Sequence, residues 1–321
     1  MDELLTLLRT PRPPTADQAA DLERRIATSL LDLMATARLA ASGGRARAFT
    51  CGIVNAKSGR CQENCRFCAQ SVHHRTAAPV YPLLGDDDLL RHAERCAAAG
   101  LRYCGLVMSG AAPTPEEFDR LCAAAGRIVP RVPIRLCASL GLLDREQAVR
   151  LRQAGFSSYH HNLETAPSYY AEACPSHDFR ERAETIRNAR AAGLRVCSGG
   201  LFGMGESWEQ RLELSRVLAD LEVDSIPVNF LNAIPGTPME AVPPLPPGEA
   251  LGIVAVLRLM HPDRDIVVCG GRARTLGRFE TLLFPAGANG LMVGDYLTTG
   301  GGPLAQDMEM LDVLGVNRDG R

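Results

Sequence analysis

Lysine is almost absent from this chain. Among 321 residues, 35 are basic, and all but Lys57 are arginine. Arginine in place of lysine along the whole chain reads as codon usage rather than as a functional choice. The single exception draws attention because it stands four residues before a cysteine cluster, where a compact point charge differs from a planar fork. An excess of charge of one sign is also missing. The 35 basic residues face 37 acidic ones, for a net charge of −2, which removes the electrostatic case for nucleic acid or an anionic membrane as partner. Long uncharged apolar runs are lacking, so no transmembrane helix is expected. The opening stretch, MDELLTLLRTPRPP, carries acids early and has no basic-then-apolar pattern. No export signal is therefore expected, and the implied location is cytoplasmic. Nor is the cysteine count even. Eleven cysteines in a long cytoplasmic chain are poor material for a disulfide framework, which leaves metal binding or catalysis.

What is present is a large apolar fraction, 46%, and a repeated theme of a short apolar strand followed by a helical segment. The length fits two average domains, or one (β/α)₈ barrel of about 250 residues with extensions. Eight strands are predicted, at 48–55, 102–108, 133–140, 156–162, 194–202, 225–231, 265–270 and 289–294. Between them lie amphipathic helices. Thr114 with Glu117 and Ser207 with Gln210 read as capping boxes, and Gly100, Gly126, Gly155 and Gly193 as helix stops. Strands alternating with helices imply parallel pairing through crossovers, and eight such units close a barrel whose sites sit at the C-terminal strand ends. The fold class is thus α/β, a single (β/α)₈ TIM-type barrel. Residues 1–45 form an N-terminal helical extension expected to cover one end of the barrel, and 46–321 form the barrel itself. The Pro-rich stretch Pro243–Pro247 reads as a loop between units six and seven.

After the first strand comes Cys61-x₃-Cys65-x₂-Cys68. Three thiolates at this spacing reach one metal centre, and three rather than four leave one iron of a [4Fe–4S] cluster open to a small molecule. Spacing alone leaves zinc open, with His73 or His74 as a fourth ligand.

The spacing, with Phe67 just before the last cysteine and a barrel-like pattern around it, resembles the radical S-adenosylmethionine (SAM) superfamily. The flanks narrow the resemblance to the biotin synthase family. They are Asn55-Ala56-Lys57-Ser58-Gly59, Cys68-Ala69-Gln70-Ser71 and His161-Asn162-Leu163-Glu164-Thr165. Cys197-Ser198-Gly199-Gly200 running to Gly203-Met204-Gly205-Glu206, and Pro227-Val228-Asn229-Phe230-Leu231 with Pro235-Gly236-Thr237-Pro238, match as well. The last block runs from Ala286-Gly287-Ala288-Asn289 to Gly294-Asp295-Tyr296-Leu297-Thr298-Thr299. The matches cover residues 48–315 in order.

The resemblance implies a sulfurtransferase that converts dethiobiotin to biotin. Cys61, Cys65 and Cys68 would hold a [4Fe–4S] cluster that binds and cleaves SAM, and the resulting radical would take hydrogen from C9 and then C6. Asn162 and Glu164 match a ribose-contacting motif, and their spacing of two turns both to one side of a strand. Arg182 matches an arginine that pairs with the SAM carboxylate, a task for a bidentate fork. Gly203 and Gly205 match a segment whose backbone faces the adenine. Asn229 matches a contact to the dethiobiotin ureido ring, with Asn162 beside it. Because adjacent strand residues face opposite ways, His161 is the candidate substrate contact and His160 packs outward. The resemblance also implies an electron donor such as flavodoxin or ferredoxin, and a homodimer.

A second metal site follows from the strand cysteines. Cys104, Cys137, Cys197 and Cys269 fall in predicted strands two, three, five and seven, and four inward thiols could meet at the barrel centre. In the family, the cysteines matching the first three hold an auxiliary cluster that donates sulfur, completed in the familiar branch by an arginine. Alignment on Gly271-Arg272 puts that arginine at Val267, with Cys269 two residues along on the same face. The expectation is a four-cysteine auxiliary iron–sulfur cluster, [4Fe–4S]-like, with [2Fe–2S] as the alternative. Cys51, Cys96 and Cys122 read as core residues, and Cys174 is open between a loop role and a cluster ligand. Two rivals remain, another radical SAM barrel such as a hydrogenase maturase or methylornithine synthase, and a non-catalytic iron–sulfur or zinc protein.

Overall fold

Eight parallel staves close into a barrel in the computed structural model, which describes residues 2–10, 15–41, 47–294, 297–298, 300–314 and 317–318. The strands are β1 (Arg47–Lys57), β2 (Tyr103–Met108), β3 (Arg135–Ser139), β4 (Ser158–His160), β5 (Arg195–Cys197), β6 (Gly200–Phe202), β7 (Ser225–Phe230), β8 (Asp265–Val268) and β9 (Gly290–Met292). They pair in the order β1-β2-β3-β4-β5-β7-β8-β9, and β9 returns to β1 through Phe49↔Gly290 and Cys51↔Met292. This is the TIM-type barrel the alternation predicts. The fifth stave departs from its predicted single strand. It breaks into β5 and β6, with β6 pairing to β7. Gly199, between the two, lies so close to β7 that a Cβ there would stand 2.0 Å from Pro227 O, so only glycine fits at the break.

The helices are α1 (Asp2–Arg9), α2 (Ala16–Ala40), α3 (Asp86–Ala98), α4 (Pro115–Ile128), α5 (Arg145–Gln153), α6 (Pro167–Ala173), α7 (Phe179–Ala191), α8 (Trp208–Asp220), α9 (Pro247–Met260), α10 (Arg272–Leu276) and α11 (Leu304–Val313). Thr114 and Ser207 form the two expected capping boxes with Glu117 and Gln210. Gly100, Gly155 and Gly193 take positive φ just past helix ends. Gly126 does not act as a stop, since α4 runs on to Ile128.

Of the N-terminal extension, α2 packs chiefly on the outer side of α9, burying Leu22, Ile26, Leu33 and Met34, and Ile26 fills the space a Cβ on Gly252 would need. This explains why α9 carries apolar residues on every side, with Ala250 through Leu259 buried in succession and Arg258 the one charged residue among them. One side faces the barrel and the other faces α2. Among the described residues no helix is long and apolar enough to cross a membrane.

Candidate active site

A cavity of about 410 Å³ runs from the barrel interior to the loops that follow the strands. Cys61, Cys65 and Cys68 line it at the loop after β1, while Cys51, Cys137, Cys197 and Cys269 line it within the barrel. Asn162, Glu164, His161 and Asn229 also face it. Lys57, at the end of β1, is six residue steps beyond Cys51, about 20 Å at the usual rise, so the two thiol groups lie at different depths.

The outer loop is shaped by its own polar groups. Gln70 Oε1 accepts from Ser58 Oγ and the Gly59 amide, both at 3.0 Å. The Cys61 amide donates to Gln70 O at 3.1 Å and the Arg66 amide to Ala173 O at 2.9 Å. His74 spends both ring nitrogens, on Cys68 O at 2.9 Å and Asn64 Oδ1 at 3.1 Å. His73 uses Nε2 on Gln62 O at 3.0 Å. Neither histidine lines the cavity, so neither is offered to the thiols as the zinc alternative requires. Cys174 is fully buried behind Cys65 and in hydrogen-bond contact with it, with His177 on the cavity side. That contact, then burial, pushes the Cys65 thiol up. Burial raises Cys61 and takes Cys68 up to about 12. These groups therefore stay thiols until a metal charge displaces their protons.

Beside the loop, Arg182 on α7 is buried. Its Nη1 donates to Asn162 O at 2.9 Å and stands 3.7 Å from Glu164 Oε1. Its guanidinium also lies over the Tyr170 ring, 5.9 Å from the centroid. Arg182 Nε has no partner among the described residues. Glu164 takes a φ of +67°, sparse for a residue with a Cβ and the mark of an over-determined position. Burial raises its carboxyl, and Arg182 and Asn162 oppose the rise. Asn229 Oδ1 accepts from the Gly270 amide at 3.0 Å while Nδ2 donates to Gly200 O at 3.4 Å, leaving one amide N–H and one lone pair. Gly203 and Gly205 do not line this cavity. Their segment is instead tied down by Glu206, whose carboxylate accepts from the Gly203 and Met204 amides and from Arg211 Nε. In the C-terminal block, Leu297 and Thr298 face the cavity, while Asp295, Tyr296 and Thr299 lie outside the described residues.

Two inner positions depart from expectation. Cys104 does not point inward: it is fully buried on the helix side of β2, in hydrogen-bond contact with Cys96 on α3. And both His160 and His161 face the cavity, because β4 ends at His160 and its alternation ends with it. His160 Nδ1 lies 3.5 Å from Cys197 Sγ, and His161 Nε2 has no partner among the described residues. Burial lowers both imidazoles, His160 to about 4, so both are neutral at pH 7. Burial takes Cys137 up to about 12 and Cys197 up to about 11, with the Ser158 and Ser225 hydroxyls partly offsetting it. Val267 and Cys269 face the cavity together, as their spacing of two predicts.

The Radical SAM superfamily profile matches residues 56–218, and that of the Biotin and Thiamin Synthesis associated domain matches 227–317. A biotin synthase of Nitratidesulfovibrio vulgaris strain Miyazaki F is 54% identical over 312 residues, covering 94% of this chain and 86% of that one. Biotin synthases of Oleidesulfovibrio alaskensis and Geobacter sulfurreducens are 49% and 52% identical, with 95% and 83% of this chain covered and 94% and 81% of theirs. The chain belongs to the biotin synthase family. Its barrel is shared more widely. A methylornithine synthase superposes with a TM-score of 0.81 at 20% identity, covering 99% of this chain and 97% of that one. An FeFe-hydrogenase maturase from Carboxydothermus hydrogenoformans gives 0.78 at 19% identity, covering 98% and 78%. At such identities the likeness is one of fold.

Membership in the biotin synthase family implies a [4Fe–4S] cluster and SAM, and the residues present fit both. Three free thiols ring one side of the cavity, the donor set of a cluster with one open iron. Among the described residues no group of three or more His, Cys, Asp or Glu side chains is placed to hold a single metal ion. Thiols spread around a volume suit a cluster's corners. Buried Arg182 has an Nε without a partner among the described residues, a cationic donor suited to a carboxylate, and the Glu164 carboxyl beside it can accept from hydroxyl groups. Sequence reasoning missed the inward faces of Cys51 and His160 and the position of His177. In a parallel barrel both faces of a strand are buried, so no apolar alternation marks the inner one.

Proposed function

We infer that this chain is a biotin-forming enzyme: it inserts sulfur into dethiobiotin, cleaving SAM at a [4Fe–4S] cluster held by Cys61, Cys65 and Cys68. The observation that carries the reading is one cavity bordered by three thiols at its outer loop and by Cys137, Cys197 and Cys269 deeper in the barrel. When bound, the outer cluster supplies the electron that splits SAM into methionine and a 5′-deoxyadenosyl radical, and an auxiliary iron–sulfur cluster supplies the sulfur.

The protein's own part is binding, orientation and exclusion of water. Arg182, fixed from one side by Asn162 O, keeps its remaining N–H groups for the methionyl carboxylate. Glu164 and Asn162 face the cavity as partners for vicinal ribose hydroxyls. Asn229, with one N–H and one lone pair unused, suits a cyclic urea, and neutral His161 offers Nε2 as a further substrate contact. The apolar barrel wall protects a carbon radical from side reactions. A reducing cytoplasmic setting, a low-potential protein donor such as flavodoxin or ferredoxin, and a homodimeric assembly complete the reading.

The test is anaerobic turnover of the reconstituted protein with SAM, dethiobiotin and a reductant. Methionine, 5′-deoxyadenosine and biotin are expected together. Absence of 5′-deoxyadenosine would overturn the radical reading, and 5′-deoxyadenosine without biotin would overturn the choice of substrate.

A further inference from the structure

We infer that Cys51, and not Cys104, joins Cys137, Cys197 and Cys269 as the fourth thiol of the auxiliary cluster; this rests on the sulfur-insertion reading above. Side chains inside an eight-stave barrel stack in layers of four, each drawn from alternate staves, and the stagger of the closed sheet raises the matching position by about one residue per strand.

Cys51 on β1 pairs with Tyr103 on β2, which pairs with Arg135 on β3. Two strands on, the same layer is reached at Cys137. From Cys137 the ladder runs through Ser158 to Arg195, and the stagger brings the layer to Cys197. From Cys197 it runs through Ser225 to Asp265, and the layer arrives at Val267. The circuit closes, since Val267 pairs with Gly290 and Gly290 with Phe49, two residues before Cys51. The layer is therefore Cys51, Cys137, Cys197 and Val267, from the first, third, fifth and seventh staves. Cys269 stands directly above Val267 on the same face, and Cys51 packs against the group formed by Tyr103, Val267 and Cys269.

Cys104 lies on the second stave and on the wrong face. Its ladder partner is Gly52. A Cβ on Gly52 would lie 2.8 Å from Leu101 Cδ1 and 3.3 Å from Cys96 Sγ, which sets that face against α3. Bringing the Cys104 thiol inside would require β2 to slip by one residue. That slip would turn Tyr103, Gly105 and Val107 out of the cavity wall and drive Leu106 into it.

The experiment compares anaerobically reconstituted full-length protein with its Cys51→Ala and Cys104→Ala variants by Mössbauer spectroscopy and by iron and sulfide content. Cys51→Ala is expected to lose or alter the second cluster's spectrum while keeping the outer cluster, whose integrity is read from SAM cleavage without dethiobiotin. Cys104→Ala is expected to keep both spectra unchanged. Cys104→Ser, nearly equal in volume, provides the same reading if the alanine variant does not fold. An unchanged second cluster in Cys51→Ala, or its loss in the Cys104 variants with Cys51→Ala intact, overturns the assignment. An unmodified protein that carries only the outer cluster overturns the auxiliary-cluster reading itself, and this inference falls with it.

Discussion

Lys57 Nζ stands 2.7 Å from Glu117 Oε1. The chain's one lysine thus joins the end of β1, immediately before the cysteine loop, to the first turn of α4. Glu117 is also the capping-box carboxylate, accepting from the Thr114 amide at 3.0 Å. The pair is mostly shielded, with side-chain exposures of 24% and 17%. Lys57→Met should therefore cost about 1–2 kcal/mol, between the value of an exposed pair and that of a fully buried one. Lys57→Arg should recover part of it. Chemical denaturation checks this, and an unchanged midpoint in Lys57→Met would show the pair to be fully screened.

Arg182 is the counter-charge of buried Glu164. In Arg182→Met the carboxyl, already raised by burial, loses the guanidinium that opposes the rise, and stability should fall by about 3 kcal/mol. Arg182→Lys keeps the charge and loses the fork. It should weaken SAM binding by roughly tenfold, about the 1.4 kcal/mol that one charge-assisted hydrogen bond contributes, with the outer cluster's spectrum unchanged. Equilibrium binding of SAM to the reconstituted variant decides it.

Glu206 holds the turn after β6 through three hydrogen bonds of 2.8–2.9 Å, from the Gly203 and Met204 amides and Arg211. Glu206→Gln replaces one acceptor oxygen by an NH₂ group facing buried donors. A loss of about 2–4 kcal/mol is expected in denaturant unfolding. A neutral result would mean that the turn is held by its glycines alone.

His261, at the end of α9, shares a 2.8 Å contact between Nε2 and Ser215 Oγ. Burial, then Arg264 and Arg258, lowers its pKa to about 4. The unfolded chain takes up its proton near pH 6.5 and the folded one does not, so the unfolded state binds more protons between these values. Stability should fall as pH drops through 6.5 and level off below 4. From pH 7.5 to 5.5 this one group contributes about 1 kcal/mol of loss. His261→Gln should flatten that part of the profile, and an unaltered slope would assign it to other groups.

The outer loop was legible because its information is local. C-x₃-C-x₂-C places three thiols within eight residues, and a short loop cannot carry them far apart. The count of eight strands was legible too, from start and stop signals at Thr114, Ser207, Gly155 and Gly193. Cys269 was found by spacing from Val267, because a shift of two residues along one strand keeps the face. Each of these readings needs only one stretch of chain.

Which of the remaining cysteines meet was decided by the tertiary structure. Cys51 and Cys104 lie on adjacent strands, but Gly52 and not Cys51 is the ladder partner of Cys104, so their side chains go to opposite faces. With apolar residues on both faces of β2, composition carries no trace of that choice. It is set by the register between two strands whose paired residues lie 52 positions apart and by the stagger that closing the barrel imposes on all eight staves at once.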